Sequence, residues 1–560
     1  MTDDPTPTST ESPAPAPPSD GAPQGDQDRA GAAAAGAASP WRPLRLPLFR
    51  SLLIASLVAD IGIVMQSVAA AWLMVLLGAT PILVALVQTA GSLPSFLLVI
   101  PAGALADIVD RRKLILAAEL WILAASAALT VLAATGRASP PVLLGLLALA
   151  AMGAALEGPA WQAIQPELVT RKDLSSALAL NGIEFNIARA VAPALAGGLL
   201  ALAGASTVFA ISAASGVGVI AVMVGWRRAP APRGVPLERL TESLMAGFRY
   251  VDHSPALRGV LVRTGTTMFC ASAVVALLPS LAHEIGAGAL GYGVLLAAFG
   301  VGAIFGVLLL PWLRSRASTD ALFSAGIATV AVTIAGVASL RPLWLLCLVL
   351  VVTGTAWTPV LAVLNTAAQN LAPGWVRGRV MAFYLLVFEA GISAGSVVWG
   401  TVADRSSVRT ALLAAAASLV ACVALRFRYR IPEHAGDLSP WGGWPTPRLA
   451  VQPGLHDGPV LVTLEYFVTP GQTREFKAAM RGLEEIRRRD GALRWDLFSD
   501  AQIPGRYLET FLVGSWAEHL RQHDRFTVAD RAVEDRVDTL VQQTPREQHF
   551  LHVRADRGRA

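Results

Sequence analysis

Twelve long apolar stretches follow one another between Phe49 and about Arg428, and they restrict this chain to a membrane-embedded fold. Each is long enough to cross a bilayer, for which a helix needs about 20 residues. Only 15% of all residues are charged, against about 25% in soluble domains. We therefore expect an all-α membrane protein of twelve transmembrane helices. The stretches begin near Phe49, Pro81, Leu114, Pro140, Leu174, Thr207, Val260, Gly291, Asp320, Pro342, Val380 and Val408.

Arginine and lysine concentrate in alternate connections between these stretches. The other connections hold only Arg137, Arg341, Arg405 and Arg409, so we call the two ends of the bundle the arginine-rich end and the arginine-poor end. Positive residues stay in the cytoplasm, which predicts cytoplasmic termini for both chain ends. The chain has 42 arginines and 3 lysines, a ratio typical of GC-rich bacterial genomes, and this favours a bacterial plasma (inner) membrane. The basic clusters lie at 42–50, 111–113, 171–172, 227–239, 314–316, 377–379 and 426–430.

Composition divides the chain into six segments. The first 40 residues, rich in Pro, Ala, Gly and Ser, have too few large apolar side chains to fold, and they contain no cleavable signal peptide. After the last helix, alternating strand patterns and amphipathic helices occur in the order β-α-β-β-α-β, which predicts a ferredoxin-like domain. Its second helix is predicted over 515 to about 541 and its last strand over 549–553. We predict a disordered tail over 1–40, a transmembrane half over 41–226, a cytoplasmic loop over 227–259, a second half over 260–430, a linker over 431–458 and an α+β cytoplasmic domain over 459–555.

The connection after the second stretch carries a specific motif. It reads Gly-Ala-Leu-Ala-Asp-Ile-Val-Asp-Arg-Arg-Lys from Gly103 to Lys113. This pattern resembles the loop 2–3 signature of the major facilitator superfamily of secondary transporters, in which the loop latches the two halves together on the cytoplasmic side. The resemblance implies two pseudo-symmetric halves of six helices and a gating motif, formed by Gly103, Asp107, Asp110, Arg111 and Arg112.

A second motif lies in the fifth stretch. The segment 186–198 ends in Pro193, Gly197 and Gly198 and resembles the fifth-helix motif of facilitator exporters, with Ala192 and Ala196 in place of two glycines. Small residues and a proline let helices pack closely and bend. Together with 365–369, 373–380 and 400–405, this segment resembles the enterobactin-exporter-like, transmembrane secretion effector branch of the superfamily. The resemblance implies export of a siderophore- or drug-like molecule.

Ionisable residues inside membrane helices are costly, and each is a candidate functional group. A carboxylate held away from water can bind and release a proton near neutral pH, as proton-coupled export requires. We predict that Asp60, Glu157 or Glu389 has this role, with Glu119, Glu184 and Arg189 as further substrate or proton candidates. The alternative for each is a structural hydrogen bond to another helix.

The C-terminal domain carries its own candidate pocket, formed by Trp516, His519 and His523. The segment 513–523 resembles the small antibiotic-biosynthesis-type monooxygenases. The two histidines share a helix face, but no third ligand completes a zinc pattern, so we predict neither a metal nor a cofactor. A haem- or quinone-like pocket and a regulatory or dimerising domain without chemistry are the alternatives, and the second is favoured. With 14 basic and 15 acidic residues over 459–554, nucleic-acid binding is excluded.

The leading function is therefore a proton-coupled exporter of an amphipathic small molecule, whose partners are this substrate, the lipid bilayer and a second copy bound through the C-terminal domain. The rival is a membrane-tethered monooxygenase-type enzyme acting through that domain. A primary pump is disfavoured because the sequence lacks a G-x-x-x-x-G-K-[ST] phosphate loop.

Overall fold

The computed structural model describes residues 41–170, 172–226, 240–433, 436–443 and 452–552. The predicted tail over 1–40 lies outside these residues. Short 3₁₀ turns at Arg42–Arg45 and Ala424–Phe427 flank the helical part. The α-helices that precede the C-terminal domain are α1 Pro47–Leu76, α2 Pro81–Ile108, α3 Arg111–Ala134, α4 Pro140–Leu168, α5 Leu174–Ser215, α6 Val217–Gly225, α7 Leu240–Asp252, α8 Pro255–Glu284, α9 Gly288–Arg314, α10 Thr319–Ser339, α11 Leu343–Asn370, α12 Arg377–Arg405 and α13 Val408–Val423.

Local start signals determine where many of these helices begin. Proline occupies the first turn of α1, α2, α4 and α8, where its missing N–H costs nothing. Asp110, Ser318 and Ser407 cap α3, α10 and α13 by accepting a hydrogen bond from a backbone N–H of the first turn. Because these signals are local, most of the predicted beginnings lie within a few residues of the observed ones.

Eleven helical stretches in the described residues are long and apolar enough to cross a membrane. One of them, 174–225, has 52 residues, and as a straight helix it would be about 78 Å long, far more than one bilayer crossing. Gly204 breaks it, with φ of 77° and ψ of 175°, a conformation that only glycine adopts without strain. This single stretch therefore covers the fifth and sixth predicted spans.

The membrane helices pack as two groups, α1–α6 in the first half and α8–α13 in the second. The halves meet chiefly where α2 packs on α12 and where α5 packs on α9. Between them, the predicted loop over 227–259 contains α7, and its residues 227–239 lie outside the described part. Tyr250 of α7 donates a hydrogen bond to the Leu371 carbonyl at 2.8 Å and packs edge-on against Trp375, so α7 is bound to the second half.

The C-terminal domain is a four-stranded antiparallel sheet covered by helices. Its order is β2-β3-β1-β4, the arrangement of a ferredoxin-like sheet, and Val460 pairs with Val513 on one side and Leu551 on the other. One sheet face carries the buried core against the helices. The elements are β1 Val460–Phe467, α14 Thr473–Asp490, β2 Arg494–Ser499, β3 Arg506–Val513, α15 Trp516–Arg525, α16 Val528–Asp538 and β4 Arg546–Leu551.

Two details of this domain differ from the sequence prediction. A single helix over 515–541 was expected, but α15 ends before Phe526 and α16 begins after Thr527. Thr527 and Asp530 form a capping box, in which each side chain accepts a hydrogen bond from the other residue's N–H, and this starts a new helix. The last strand begins at Arg546 rather than His549.

Helices α14 and α15 dock the domain on the arginine-rich end. Glu518 of α15 forms an ion pair with Arg249 of α7 at 3.3 Å. The guanidinium of Arg525 lies 4.6 Å from the centre of the Trp375 ring, and that of Arg489 lies 5.4 Å from the Tyr250 ring. The domain thus contacts both α7 and the connection that leads into α12.

Candidate functional site

Six charged side chains from the membrane helices form a connected cluster near the middle of the bundle. Five come from α1, α3, α4 and α5 of the first half, and one comes from α12 of the second half. The preferred sequence candidates and the secondary ones are therefore parts of one site. Its members are Asp60, Glu119, Glu157, Glu184, Arg189 and Glu389.

Asp60 lies at the centre of this cluster. Its carboxyl group interacts with those of Glu184, Glu119 and Glu157. Neighbouring carboxylates repel each other strongly where the dielectric constant is low. Two carboxyl groups can share a hydrogen bond only if one of them carries a proton. The Asp60 and Glu184 carboxyl groups, on α1 and α5, can therefore interact favourably by sharing one proton.

Arg189 connects these carboxyl groups to the second half. Its guanidinium interacts with both Asp60 of α1 and Glu389 of α12, and it stacks 4.7 Å from the centre of the Phe185 ring. Arg189 is exposed, and Asp60 and Glu389 are half-buried. Since a side chain that interacts with both halves lies between them, these groups border a space between the halves.

A polar network that the sequence analysis did not assign adjoins the cluster. The buried Gln66 side chain of α1 accepts hydrogen bonds through Oε1 from Ser126 at 2.7 Å and from Ser212 at 3.1 Å. Glu119 packs against Gly216, where an added Cβ would lie 2.8 Å from its Oε2. This network could have been predicted from Gln66, because it places a polar side chain in an apolar helix about two turns after Asp60.

The gating motif begins at the end of α2. Gly103 has open space where a Cβ would point. The side chain of Asp107 lies outside the part that the structure describes. Asp110 caps α3, because its carboxylate accepts a hydrogen bond from the Lys113 N–H at 3.3 Å.

The two arginines of the motif bind within the first half. Arg111 forms an ion pair with Glu167 of α4 at 2.8 Å. Arg112 donates hydrogen bonds to the carbonyl groups of Met223 at 2.6 Å and Val224 at 2.9 Å, at the end of α6. Both side chains thus join the ends of first-half helices at the arginine-rich end.

The fifth-helix motif lies at the contact between the halves. A Cβ on Gly197 would lie 2.5 Å from the Cα of Gly293 in α9, and a Cβ on Gly293 would lie 3.1 Å from the Pro193 carbonyl oxygen. Gly198 faces open space. Gly293 was not predicted as part of this contact, although the closely spaced glycines at the start of α9 are typical of close helix packing.

Further contacts join the two halves on the arginine-poor side of the charged cluster. Ser92 of α2 and Ser393 of α12 have their hydroxyl oxygens 2.6 Å apart, and Thr89 donates a hydrogen bond to the Ser393 carbonyl at 3.3 Å. Trp72 of α1 stacks on Tyr292 of α9 with ring centres 5.9 Å apart. Together with the glycine contact, these interactions hold the two halves together on the arginine-poor side of the charged cluster.

The predicted C-terminal pocket brings together more residues than the sequence indicated. Trp516 packs on His519, with their ring centres 5.2 Å apart. The ring centres of His519 and His523 are 4.7 Å apart. Two residues of β4, which sequence spacing did not reveal, complete the group. His549 Nε2 lies 2.9 Å from His519 Nε2 and 3.3 Å from Glu547 Oε1.

Burial controls the electrostatics of this pocket. Burial first, and then the neighbouring His523 and His549, lower the pKa of His519 to about 3, so its ring is neutral at physiological pH. Burial also lowers the pKa of His523. Burial acts to raise the pKa of Glu547, but the hydrogen bond with His549 outweighs this effect and holds the pKa below its usual value. This carboxylate is therefore ionised. The enclosed cavity measures about 20 Å³, enough for a water-sized ligand.

Comparison with known proteins places these features in a family. The profile of the transmembrane secretion effector family matches residues 38–557. The multidrug efflux pump Tap of Mycolicibacterium fortuitum is 27% identical over 375 residues, which cover 65% of this chain and 91% of the pump. The enterobactin exporter EntS of Citrobacter koseri is 27% identical over 363 residues, which cover 63% of this chain and 85% of EntS.

Solved structures share the same fold at low sequence identity. A bacterial homologue of the human lysosomal transporter Spinster, in an inward-facing and occupied conformation, aligns with a TM-score of 0.57 and 16% identity, covering 69% of this chain and 97% of its own. The nucleoside transporter NupG aligns with a TM-score of 0.56 and 14% identity, covering 68% of this chain and 100% of its own. At these identities the likeness concerns the arrangement of helices alone.

Proposed function

Since this chain belongs to the transmembrane secretion effector family of the major facilitator superfamily, we propose that it exports an amphipathic small molecule from the bacterial cytoplasm in exchange for protons. The chain is a multi-pass membrane transporter of small molecules. Two relatives are named as a multidrug efflux pump and an enterobactin exporter. We therefore assign a lipophilic drug-like or siderophore-like cargo to this chain.

The charged cluster is the observation that carries proton coupling. Asp60 and Glu184 share one proton, and Arg189 lies between Asp60 of the first half and Glu389 of the second. When Asp60 is protonated, its attraction for Arg189 weakens and the arginine binds Glu389 instead. Proton binding in the first half thereby changes a contact between the halves, which is what coupling of proton movement to a conformational change requires.

We also propose that the arginine-rich end faces the cytoplasm, together with both chain termini. The contacts at the arginine-poor end then close the external side, and the charged cluster is reached from the cytoplasm. In this conformation Arg111 and Arg112 bind within the first half. Their proposed gating role belongs to the opposite conformation, in which the cytoplasmic side closes and the motif contacts the second half.

For the C-terminal domain we favour a function without catalysis. Its cavity of about 20 Å³ is far smaller than the roughly 300–1,000 Å³ typical of sites that enclose organic ligands. An aromatic or isoprenoid substrate of a monooxygenase does not fit there. The domain contacts α7 and Trp375. These contacts favour a regulatory domain that changes the activity of the transporter to which it is docked.

We further propose that the open face of the C-terminal sheet binds a second copy of the chain. Phe498, Leu508 and Phe550 are exposed on this face, opposite the helix-covered core. Leu508→Glu should shift the detergent-solubilised protein from dimer to monomer, because it places a charge in an apolar interface. Light scattering coupled to size-exclusion chromatography measures the change, and a wild-type protein that is already monomeric overturns the proposal.

Transport in reconstituted vesicles tests the main function. Vesicles with an acidic interior imitate the external side, so cargo should accumulate inside as protons leave. Uptake of lipophilic drugs and siderophores is measured with the gradient, without it and after its collapse by a protonophore. Uptake that is indifferent to the gradient overturns proton coupling. Oxidation of an aromatic or isoprenoid compound by the full chain, without any uptake, favours the enzyme.

A further inference from the structure

Four metal-binding side chains converge inside the C-terminal domain. His519 and His523 lie one turn apart on α15, and Glu547 and His549 are alternate residues of β4, whose side chains point to the same face. Ligand atoms of His519, His523 and Glu547 all lie within 4.8 Å of one another. His549 Nε2 completes the group, 2.9 Å from His519 Nε2 and 3.3 Å from Glu547 Oε1.

These separations fit a tetrahedral ion. Zinc binds histidine nitrogen at about 2.0–2.1 Å, so neighbouring ligand atoms around it lie about 3.3–3.4 Å apart. The His549–Glu547 separation of 3.3 Å has this value, and the His519–His549 separation of 2.9 Å must widen by less than an ångström. Small rotations of the His519 and His549 side chains are therefore enough to bring these two separations to the tetrahedral value.

The surroundings of His519 also point to a ligand. His519 is 1% exposed, and its Nε2 lies 2.9 Å from the Nε2 of His549. Two imidazole nitrogens this close need either a shared proton or a shared cation between them. His519, His523 and Glu547 line the cavity of about 20 Å³, and this space is large enough for a single ion or water.

Nearby charges do not oppose a cation at this site. Arg487 lines the same cavity, but it forms ion pairs with Glu509 at 3.3 Å and Glu534 at 3.1 Å, which neutralise it. Glu547 contributes a negative charge as a direct ligand. The indole ring of Trp516 packs on His519 and, edge-on, on His549, and this contact orients both imidazoles.

We propose that the C-terminal domain binds one divalent transition-metal ion through His519, His523, His549 and Glu547. Three neutral imidazoles and one carboxylate are a ligand set that zinc accepts. Four protein ligands fill a tetrahedral shell and leave no open position for a substrate, so the ion has a structural or sensing role. Helix α15, which supplies two ligands, also supplies the docking residues Glu518 and Arg525, and the bound ion fixes this helix against β4.

Metal titration of the full-length, tag-free protein in detergent tests this proposal. After chelator treatment, calorimetry with Zn²⁺ should give one site per chain, and Co²⁺ should give the intense visible absorption of tetrahedral coordination. Glu547→Gln and His523→Ala should each weaken zinc binding by about 100-fold, since even residues that only support ligands are worth about 10- to 100-fold. His456→Ala is the matched control, because His456 is an exposed histidine in the linker just before the same domain.

The folded state of each variant is checked by its melting temperature without metal. Glu547 lies on an edge strand with its side chain 29% exposed, so its replacement by glutamine preserves the fold. The proposal is supported if the wild type binds one zinc per chain and if this binding is lost in both ligand variants but kept in His456→Ala. Absence of saturable binding in the wild type, or equal zinc affinity in all four proteins, overturns it.

Discussion

Transport driven by a pH gradient should fall to the background of empty vesicles in Asp60→Asn, and also in Glu184→Gln. The Asp60 and Glu184 carboxyl groups interact with each other, and each amide replacement keeps the shape and the capacity for hydrogen bonding but removes a group that can bind and release a proton. In Asp60→Asn, the attraction that draws Arg189 toward α1 is also lost. The second half then holds the arginine through Glu389 regardless of pH.

Counterflow separates loss of coupling from loss of transport. Exchange of labelled for unlabelled cargo across the membrane needs binding and conformational change but no net proton movement, so it should persist in both variants. Asp404→Asn is the matched control, because Asp404 is an exposed carboxylate at the arginine-poor end of α12, away from the cluster. Gradient-driven uptake at wild-type rates in Asp60→Asn and Glu184→Gln, singly and combined, contradicts the coupling role.

The helices were predictable because their signals are local. A proline in the first turn at Pro47, Pro81, Pro140 or Pro255 and a cap such as Asp110 mark a helix start within a few residues of sequence. The break at Gly204 lies within a few residues of the predicted start at Thr207. The boundary that was missed, at Thr527, has a local cause as well, because the capping box there restarts a helix within a continuous amphipathic pattern.

The candidate sites were only partly predictable, because their geometry depends on contacts between distant segments. Charge in an apolar helix marks Asp60, Glu184 and Arg189 as candidates, but neither their pairing nor the link from Arg189 to Glu389 follows from spacing along one helix. The same limit applies to the histidine cluster. His519 and His523 are visible as a pair on one helix, whereas β4 brings His549 and Glu547 to them only after the sheet has formed.

A disulfide between Ser92→Cys and Ser393→Cys should stop transport completely. The two hydroxyl oxygens are 2.6 Å apart on α2 and α12, close to the sulfur–sulfur distance of about 2.05 Å, so the double variant should oxidise readily. The bond joins the two halves on the arginine-poor side of the charged cluster and prevents this side from opening. If export requires that this end opens, a covalent link there holds the transporter in the conformation described above, and reduction should restore uptake.

The cross-link is made in a background in which Cys270, Cys347 and Cys422 are replaced, because the sulfurs of Cys270 and Cys422 are only 3.9 Å apart. Ser407→Cys with Thr410→Cys is the matched control, since these hydroxyl groups lie 2.8 Å apart at the start of α13, within the second half. Oxidation there should leave transport unchanged. Full transport by the oxidised 92–393 protein, with the bond verified by mass spectrometry, would mean that the halves do not separate at this end and that cargo crosses without alternate opening.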